Sequence, residues 1–407
     1  MTQLPATTSM PGQAPAIATT SCPTCGQKNA DIFYSVQDVP IHSCLLMPTK
    51  EEAMTFPTGD VELALCRECG FIFNTRYDPG LQHYCDKYEE TQGFSPCFNT
   101  FLVSLVRKLI SQYDIRGKDV LEIGCGKGDF LTLLCELGDN RGVGIDPSYI
   151  PARTDPQALS KVTFIRDFYG EKYANLAADV ICCRHTLEHI GQTRQFMQMM
   201  MDSMAARQSM VFFEVPDVLR VLREGAFWDI YYEHCSYFTT GSLARLFRSV
   251  RLNPVELYMD YDDQYVMMMA KHQSDPTARP LPPVDDVSEI AQAVASFTAT
   301  SQQTIQTWGK VVRELAAQGK KTVLWGSGSK GVAFLTTLKL RDEVQYVVDV
   351  NPYRHGKFMP GTGQEIVAPQ FLTAYKPDCV IIMNPVYHQE ISRNLQEMNV
   401  KAHVMAV

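Results

Sequence analysis

The sequence predicts an α/β protein of more than one domain, on three observations. Strands alternate with amphipathic helices between about 119 and 270. A second strand–glycine loop–helix unit opens at Lys321-Thr322-Val323-Leu324-Trp325-Gly326, and a segment carrying two CxxC pairs precedes both. At 407 residues the chain exceeds one ordinary core, and with 45% apolar residues it can fill two or three.

Bulk properties exclude several classes. A formal charge of -8 argues against a protein built to neutralise nucleic-acid phosphates. No apolar run approaches the roughly 20 residues of a membrane helix, and the N-terminus lacks a charged start followed by an apolar core. A cytoplasmic protein without membrane or nucleic-acid partners is therefore expected. The 13 cysteines, an odd count, suit metal binding in a reducing compartment better than a disulfide framework.

Residues 1–20, rich in Thr, Pro and Ala without an apolar period, read as a disordered lead. Residues 21–95 read as a zinc-binding module. Cys22-Pro23-Thr24-Cys25-Gly26 and Cys66-Arg67-Glu68-Cys69-Gly70 have the form of two knuckles, each turning two sulfurs toward one ion. Four thiolates close a tetrahedral shell with no position left for water, so the expected zinc is structural. The 40 residues between the pairs exceed a compact ribbon's loop, and they are expected to pack on the neighbouring domain and shape the substrate pocket.

Residues 96–273 form the next unit: a helix at 98–113, then strands at 119–123, 141–145, 162–166, 179–183 and 210–214, the pattern of a parallel sheet covered by helices. Residues 274–286 hold four prolines in thirteen positions and read as a linker. A long helix from about 287 to 318 opens the last unit, 287–407, with further strands at 345–349 and 378–382.

The strand ending in Glu122 runs into Gly124-Cys125-Gly126-Lys127-Gly128 and then an apolar helix of Phe130, Leu131, Leu133 and Leu134. This spacing differs from the dinucleotide fingerprint GxGxxG. Glycines there let the backbone run against a ligand's amino-acid and ribose portions, while the helix N-terminus faces a bound carboxylate. The loop resembles the GxGxG loop of class I S-adenosylmethionine-dependent methyltransferases. Asp146, ending the next strand, is placed to accept both ribose hydroxyls. The resemblance carries Asp167 to the adenine amino group and adds Phe168 and His185 to the cofactor set. Asp146 can also be read as a helix N-cap before Pro147-Ser148, and Asp167 as a turn acid.

Two clusters carry candidate acid/base groups. His185 and His189, in Arg184-His185-Thr186-Leu187-Glu188-His189, are four apart and would share a face if the segment were helical. An inverted zinc-protease helix is disfavoured, because no downstream acidic ligand is evident. Tyr231, Glu233, His234 and Tyr237 fall within seven residues beside Phe227-Trp228, a density of titratable groups that is costly to bury for packing alone.

Here the chain resembles the sugar C-methyltransferases that act on nucleotide-linked keto-deoxysugars, from Cys22 to the C-terminus. Their Tyr-His-Glu-His-x-Ser-Tyr-Phe segment is matched by Tyr231 to Phe238, with Tyr232 in place of the first His. The resemblance implies a class I methyltransferase domain of Rossmann-like fold, a small N-terminal zinc module and a second, C-terminal Rossmann-like α/β domain. It makes His234 the base, Tyr231 and His189 partners of an enolate or hydroxyl, Glu233 an orienting or hydroxyl-binding group, Tyr237 a substrate contact, and Tyr88 a substrate-contacting Tyr, with Tyr84 as neighbouring candidate.

In the last unit, Trp325-Gly326-Ser327-Gly328-Ser329-Lys330 resembles a phosphate-cradling turn, with Lys330 where a pyrophosphate would lie. Asp349, ending the next strand, joins Gly326, Gly328 and Lys330 in the expected substrate-binding set. Asn384-Pro385-Val386-Tyr387-His388 departs from the Trp-Asn type expected by resemblance.

The expected activity is methyl transfer from S-adenosylmethionine to a carbon beside a carbonyl of a nucleotide-activated keto-deoxysugar, by a monomer or homodimer with structural Zn2+. Two alternatives remain open: a methyltransferase acting on carbon, oxygen or nitrogen of a non-sugar acceptor, and a non-catalytic scaffold that retains the cofactor fold. A dehydrogenase using the C-terminal glycine loop would need a second catalytic cluster, and none is evident there.

Overall fold

The structure, a computed structural model, describes residues 20–204 and 207–407. The expected lead lies outside them except for Thr20. The first unit contributes β1 (Ala30–Pro40), α1 (Lys50–Met54), β2 (Thr58–Cys66) and β3 (Ile72–Asn74). The second contributes α2 (Pro96–Tyr113), β4 (Asp119–Ile123), α3 (Asp129–Gly138), β5 (Arg141–Ile145), β6 (Val162–Ile165), β7 (Val180–Arg184), α4 (Thr193–Met204), β8 (Met210–Pro216), α5 (Val218–Glu224), β9 (Ser236–Tyr237), α6 (Thr240–Ser249), β10 (Leu252–Asp260) and β11 (Tyr265–His272). The third contributes α7 (Val287–Ala317), β12 (Thr322–Trp325), α8 (Ser329–Leu338), β13 (Tyr346–Val348), β14 (Glu365–Val367), α9 (Leu372–Tyr375), β15 (Cys379–Ile382), α10 (His388–Glu397) and β16 (His403–Ala406).

The central sheet runs β10-β11-β8-β7-β4-β5-β6. Its five strands from β8 to β6 are parallel, while β11 pairs antiparallel with β8 and β10 with β11. The β10–β11 hairpin extends the sheet beyond the parallel strands the sequence predicts. In β11 Tyr265 to Ala270 are buried without interruption, so the strand lacks the alternation that marks a half-exposed one. Helix α3 lies tight on β5: a Cβ at Gly142 would meet the Cys135 sulfur and the Leu131 side chain. The C-terminal sheet, β14-β13-β12-β15-β16, is wholly parallel.

The N-terminal sheet has the order β1-β2-β3-β9. Its last strand belongs to the second unit, with Ile72 opposite Tyr237 and Phe73 opposite Ser236. The cysteine module is thus completed by the segment that carries His234. The proline-rich run 274–286 is not loose at its end: Asp286 accepts Thr239 Oγ1 at 2.9 Å and Gly241 N at 3.1 Å, and it pairs with Arg245. Among the described residues no helix is long and apolar enough to cross a membrane.

Helix α7, 31 residues long, ties the outer units together. Phe297 is fully buried between Phe33 (ring centroids 6.1 Å apart) and Tyr34 (5.2 Å), and Thr298 Oγ1 donates to Phe33 O at 2.8 Å. Phe297→Ala is expected to lower stability by about 3–5 kcal/mol, read as a fall in the denaturant midpoint.

Candidate active site

One cavity of about 940 Å³ lies where the three units meet, reached by the C-terminal ends of β4, β5 and β7, by residues 77–95, by the 229–237 segment and by the glycine loop after β12. The open end of a parallel sheet is where such folds expose ligand-binding loops.

At one end is the loop after β4. Gly124, Gly126 and Gly128 have φ of 74°, 54° and 90°, the left-handed region, and a Cβ at Gly124 would collide with Thr186. Gly124 and Gly126 line the cavity, whereas Gly128, expected beside them, sits behind as N-cap of α3 against the Phe164 ring. Asp146 Oδ2 accepts Gly126 N at 2.8 Å, and Oδ1 accepts Ser148 N and Oγ, both at 2.7 Å. No helix starts there for it to cap; Asp146 closes a turn through Ser148 and supports the glycine loop.

Glu122 is 2% exposed, and its Oε2 has no hydrogen-bond partner. Burial pushes its carboxyl up to about 8. Asp167 accepts Tyr173 OH at 2.6 Å and Phe168 N at 2.8 Å and pairs with Lys172, which with Tyr173 holds its carboxyl down at about 2. Phe168 is 57% exposed on the cavity rim. Glycines that admit a ligand against the backbone, a buried acid with a free oxygen, and Asp146 at the next strand end fit an adenosyl amino acid.

The His185–His189 segment is not a helix. His185 has φ of +46°, and only a short turn, Leu187–His189, follows. The two imidazoles diverge: His185 Nε2 lies 2.8 Å from Glu214 and its Nδ1 makes a 3.4 Å ion contact with Glu188, while His189 Nδ1 shares a 2.8 Å hydrogen bond with the Tyr84 hydroxyl. Burial alone would depress His185, but Glu214 and Glu188 outweigh it and raise the imidazolium to about 9.

His234 is buried, its ring 4.2 Å from Tyr231 and 4.7 Å, edge on, from His189. Burial, with His189, His185 and Lys330 nearby, holds its pKa well below 6.5, so the imidazole is neutral with a lone pair available. Burial raises the Tyr231 phenol well above 10, which keeps it a donor. Tyr231, His189, His234 and Tyr237 all line the cavity.

Glu233 does not. Its carboxylate turns away from His234 and accepts Ser43 N at 3.0 Å and Tyr88 OH at 2.9 Å, with His42 Nδ1 at 3.4 Å. It is a positioning group rather than an orienter of His234 or a substrate contact. The Tyr88 hydroxyl is committed to that carboxylate, and Tyr84 is the tyrosine that reaches His189. Tyr232, the departure from the motif, points into the cysteine module, where its hydroxyl accepts Asp78 N at 2.8 Å and its ring lies over Gly59.

At the far end, Gly326, Gly328, Lys330 and Asp349 line the same cavity. Lys330 pairs with Asp229, which also accepts Arg220 Nη2 at 2.9 Å, so one carboxylate is shared by two cations. Asp349 is engaged: it accepts Ser327 N at 3.0 Å, Ser327 Oγ at 2.5 Å and Arg354 Nη1 at 3.1 Å, and so holds the glycine loop. Gly326, Gly328 and Lys330 face the cavity, and Asp349 is engaged in supporting the loop.

The four module cysteines converge. Their sulfurs lie within 4.8 Å of one another, with Cys22–Cys69 at 3.7 Å and Cys25–Cys66 at 3.6 Å. A tetrahedral zinc with Zn–S bonds of about 2.3 Å spaces its sulfurs by about 3.8 Å, so these residues could hold one.

Residues 99–257 match the methyltransferase domain family, and residues 286–405 match the C-methyltransferase C-terminal domain family. The chain is 25% identical over 404 residues to C-methyltransferase NovU of Streptomyces niveus, covering 92% of each protein. Among solved structures it is similar to the 1,6-didemethyltoxoflavin N1-methyltransferase of Burkholderia thailandensis, bound to 1,6-didemethyltoxoflavin and S-adenosylhomocysteine (17% identity, 45% of this chain and 83% of that one, TM-score 0.36). It is also similar to the magnesium protoporphyrin IX methyltransferase of Synechocystis PCC 6803 with bound S-adenosylhomocysteine (16%, 43% and 84%, TM-score 0.34).

The His185 ion pairs set a pH dependence. Its folded pKa lies above imidazole's ordinary 6.5, so protonation stabilises the fold fully below about 6.5, and that contribution is lost as pH rises through about 9. In urea titrations the stability gap between the unaltered protein and His185→Gln is expected to be widest near pH 6 and to shrink by pH 9.

Proposed function

We propose, on the premise that this chain is an S-adenosylmethionine-dependent methyltransferase carrying a C-methyltransferase C-terminal domain, that it methylates a carbon beside the carbonyl of a nucleotide-activated keto-deoxysugar. The observation that carries this reading is a neutral, buried His234 in the same cavity as the glycine loop, ringed by Tyr231 and the His189–Tyr84 pair.

Carbon methylation needs a carbanion equivalent. His234 removes the proton from the carbon next to the carbonyl, and the C–H electron pair moves into the enolate. Tyr231 and His189 would donate to the developing oxygen, with Tyr84 holding the His189 ring. S-adenosylmethionine, when bound, supplies the methyl group as a sulfonium and leaves as the thioether S-adenosylhomocysteine. Asp146 and Glu122 would hold its ribose and amino-acid ends and Asp167 and Phe168 its adenine end, while His185 braces the strand end beneath.

The acceptor's anionic end is assigned to the far glycine loop, where Lys330 and Arg220 share Asp229. We propose the division 21–95, 96–273, 274–286 and 287–407 as metal module, cofactor domain, linker and nucleotide-end domain, with Cys22, Cys25, Cys66 and Cys69 holding one structural zinc.

The test is mass spectrometry of the protein with S-adenosylmethionine and a panel of nucleotide-linked 4-keto-deoxysugars. A methylated sugar supports the reading; turnover only on a non-sugar acceptor overturns it. His234→Gln is expected to lower kcat by about 100-fold or more while S-adenosylhomocysteine still binds in calorimetry. The acid limb of kcat/KM should fall below pH 6.5. Metal analysis should find one zinc per chain, and Cys25→Ser should lose it together with thermal stability; a folded, metal-free protein of unchanged stability would refute the zinc assignment.

A further inference from the structure

Resting on the reading that S-adenosylmethionine occupies the glycine-loop end of the cavity, we propose that Arg184 is the receptor for the cofactor's α-carboxylate, through its Nη2. Arg184 ends β7, directly after Cys183, which pairs with Ile123 of β4. Its side chain is 9% exposed and lines the cavity. Nε donates to Glu214 Oε2 at 2.6 Å and the guanidinium carbon lies 4.5 Å from the Phe130 ring centroid, yet Nη2 is buried without an acceptor. A buried donor left unpaired is destabilising, so an acceptor supplied from the cavity would relieve it.

The other cations near this end are already engaged. Lys127 donates to Tyr88 O, Ser148 O and Glu90, three acceptors for three protons, and both His185 nitrogens face carboxylates. Arg220 and Arg354 also carry an unpartnered Nε, but they are paired with Asp229 and Asp349 at the C-terminal loop.

The N-terminus of α3, the sequence's candidate for the carboxylate, is already surrounded by acids. Asp146 accepts Gly126 N, Asp129 stands in the first turn, and a Cβ at Gly126 would meet Glu90 Oε1. A further anion there is repelled. Burial raises the carboxyl of Glu122, on the strand beside β7, and an α-ammonium against its unpartnered Oε2 would favour the carboxylate, so that Arg184 and Glu122 together would match a zwitterion.

The test compares two ligands by calorimetry: S-adenosylhomocysteine, which carries the amino acid, and 5′-methylthioadenosine, which keeps the adenosine and lacks it. Arg184→Lys retains a cation against Glu214 and removes the Nη2 arm. It should weaken S-adenosylhomocysteine roughly 10- to 100-fold and leave 5′-methylthioadenosine within about twofold. Unchanged S-adenosylhomocysteine affinity would overturn the proposal. Equal losses for both ligands would also overturn it, by making Arg184 only a structural partner of Glu214. If the unaltered protein bound neither ligand, the cofactor reading itself would fall and the proposal with it.

Discussion

The buried carboxylate of Glu233 organises the site without entering it. Three donors from distant parts of the chain converge on it: Ser43 and His42 from the insert between the cysteine pairs, and Tyr88 from the segment that closes over the glycine loop. A buried charge is tolerated only when its oxygens are satisfied, so the carboxylate fixes all three donors at once. His234 is its immediate neighbour in sequence, and the pairing of β9 with β3 pins the other side of the same segment. The proposed base is therefore placed by its flanks, and the cavity is left free of the charge that places it.

The same logic separates charge within the cleft. Arg184, His185 and Glu214 form one compact set of ion pairs at the strand ends, and Lys330, Arg220 and Asp229 form another at the far loop. His234 lies between them, buried and facing positive neighbours, which keeps its imidazole unprotonated. A base that had to share a carboxylate, as His185 does, would be held as imidazolium and be useless for taking a proton.

Features whose chemistry is local were legible in the sequence. The CxxC turns and the GxGxG loop require particular residues at fixed spacing, and the central strands carry apolar runs bounded by glycine. Features decided by distant partners were not. Glu233 was read with adjacent His234 because its actual donors are about 145 to 190 residues away. Tyr84 and Tyr88 are indistinguishable by spacing, and only the fold sends one hydroxyl to His189 and the other to Glu233. The four-residue interval in HxxEH suggested a helical face, but the strand end and the left-handed His185 break it. Asp349 is placed as a strand-end acid should be, and Ser327 and Arg354 occupy it. Arg184 gave no signal at all, since its interest lies in one nitrogen that nothing accepts from.

The fourth strand of the cysteine sheet has a temporal consequence. Ribosomal synthesis delivers β1, β2 and β3 first, whereas β9 begins about 160 residues after β3 ends. At roughly 5–20 residues per second, the edge of β3 waits on the order of ten to thirty seconds for its partner. During that interval the nascent module presents Ile72 and Phe73 on an unpaired edge, a template for pairing with other chains. The late segment that closes this edge also delivers the proposed base two residues earlier, so a chain interrupted before His234 lacks both a finished sheet and that imidazole.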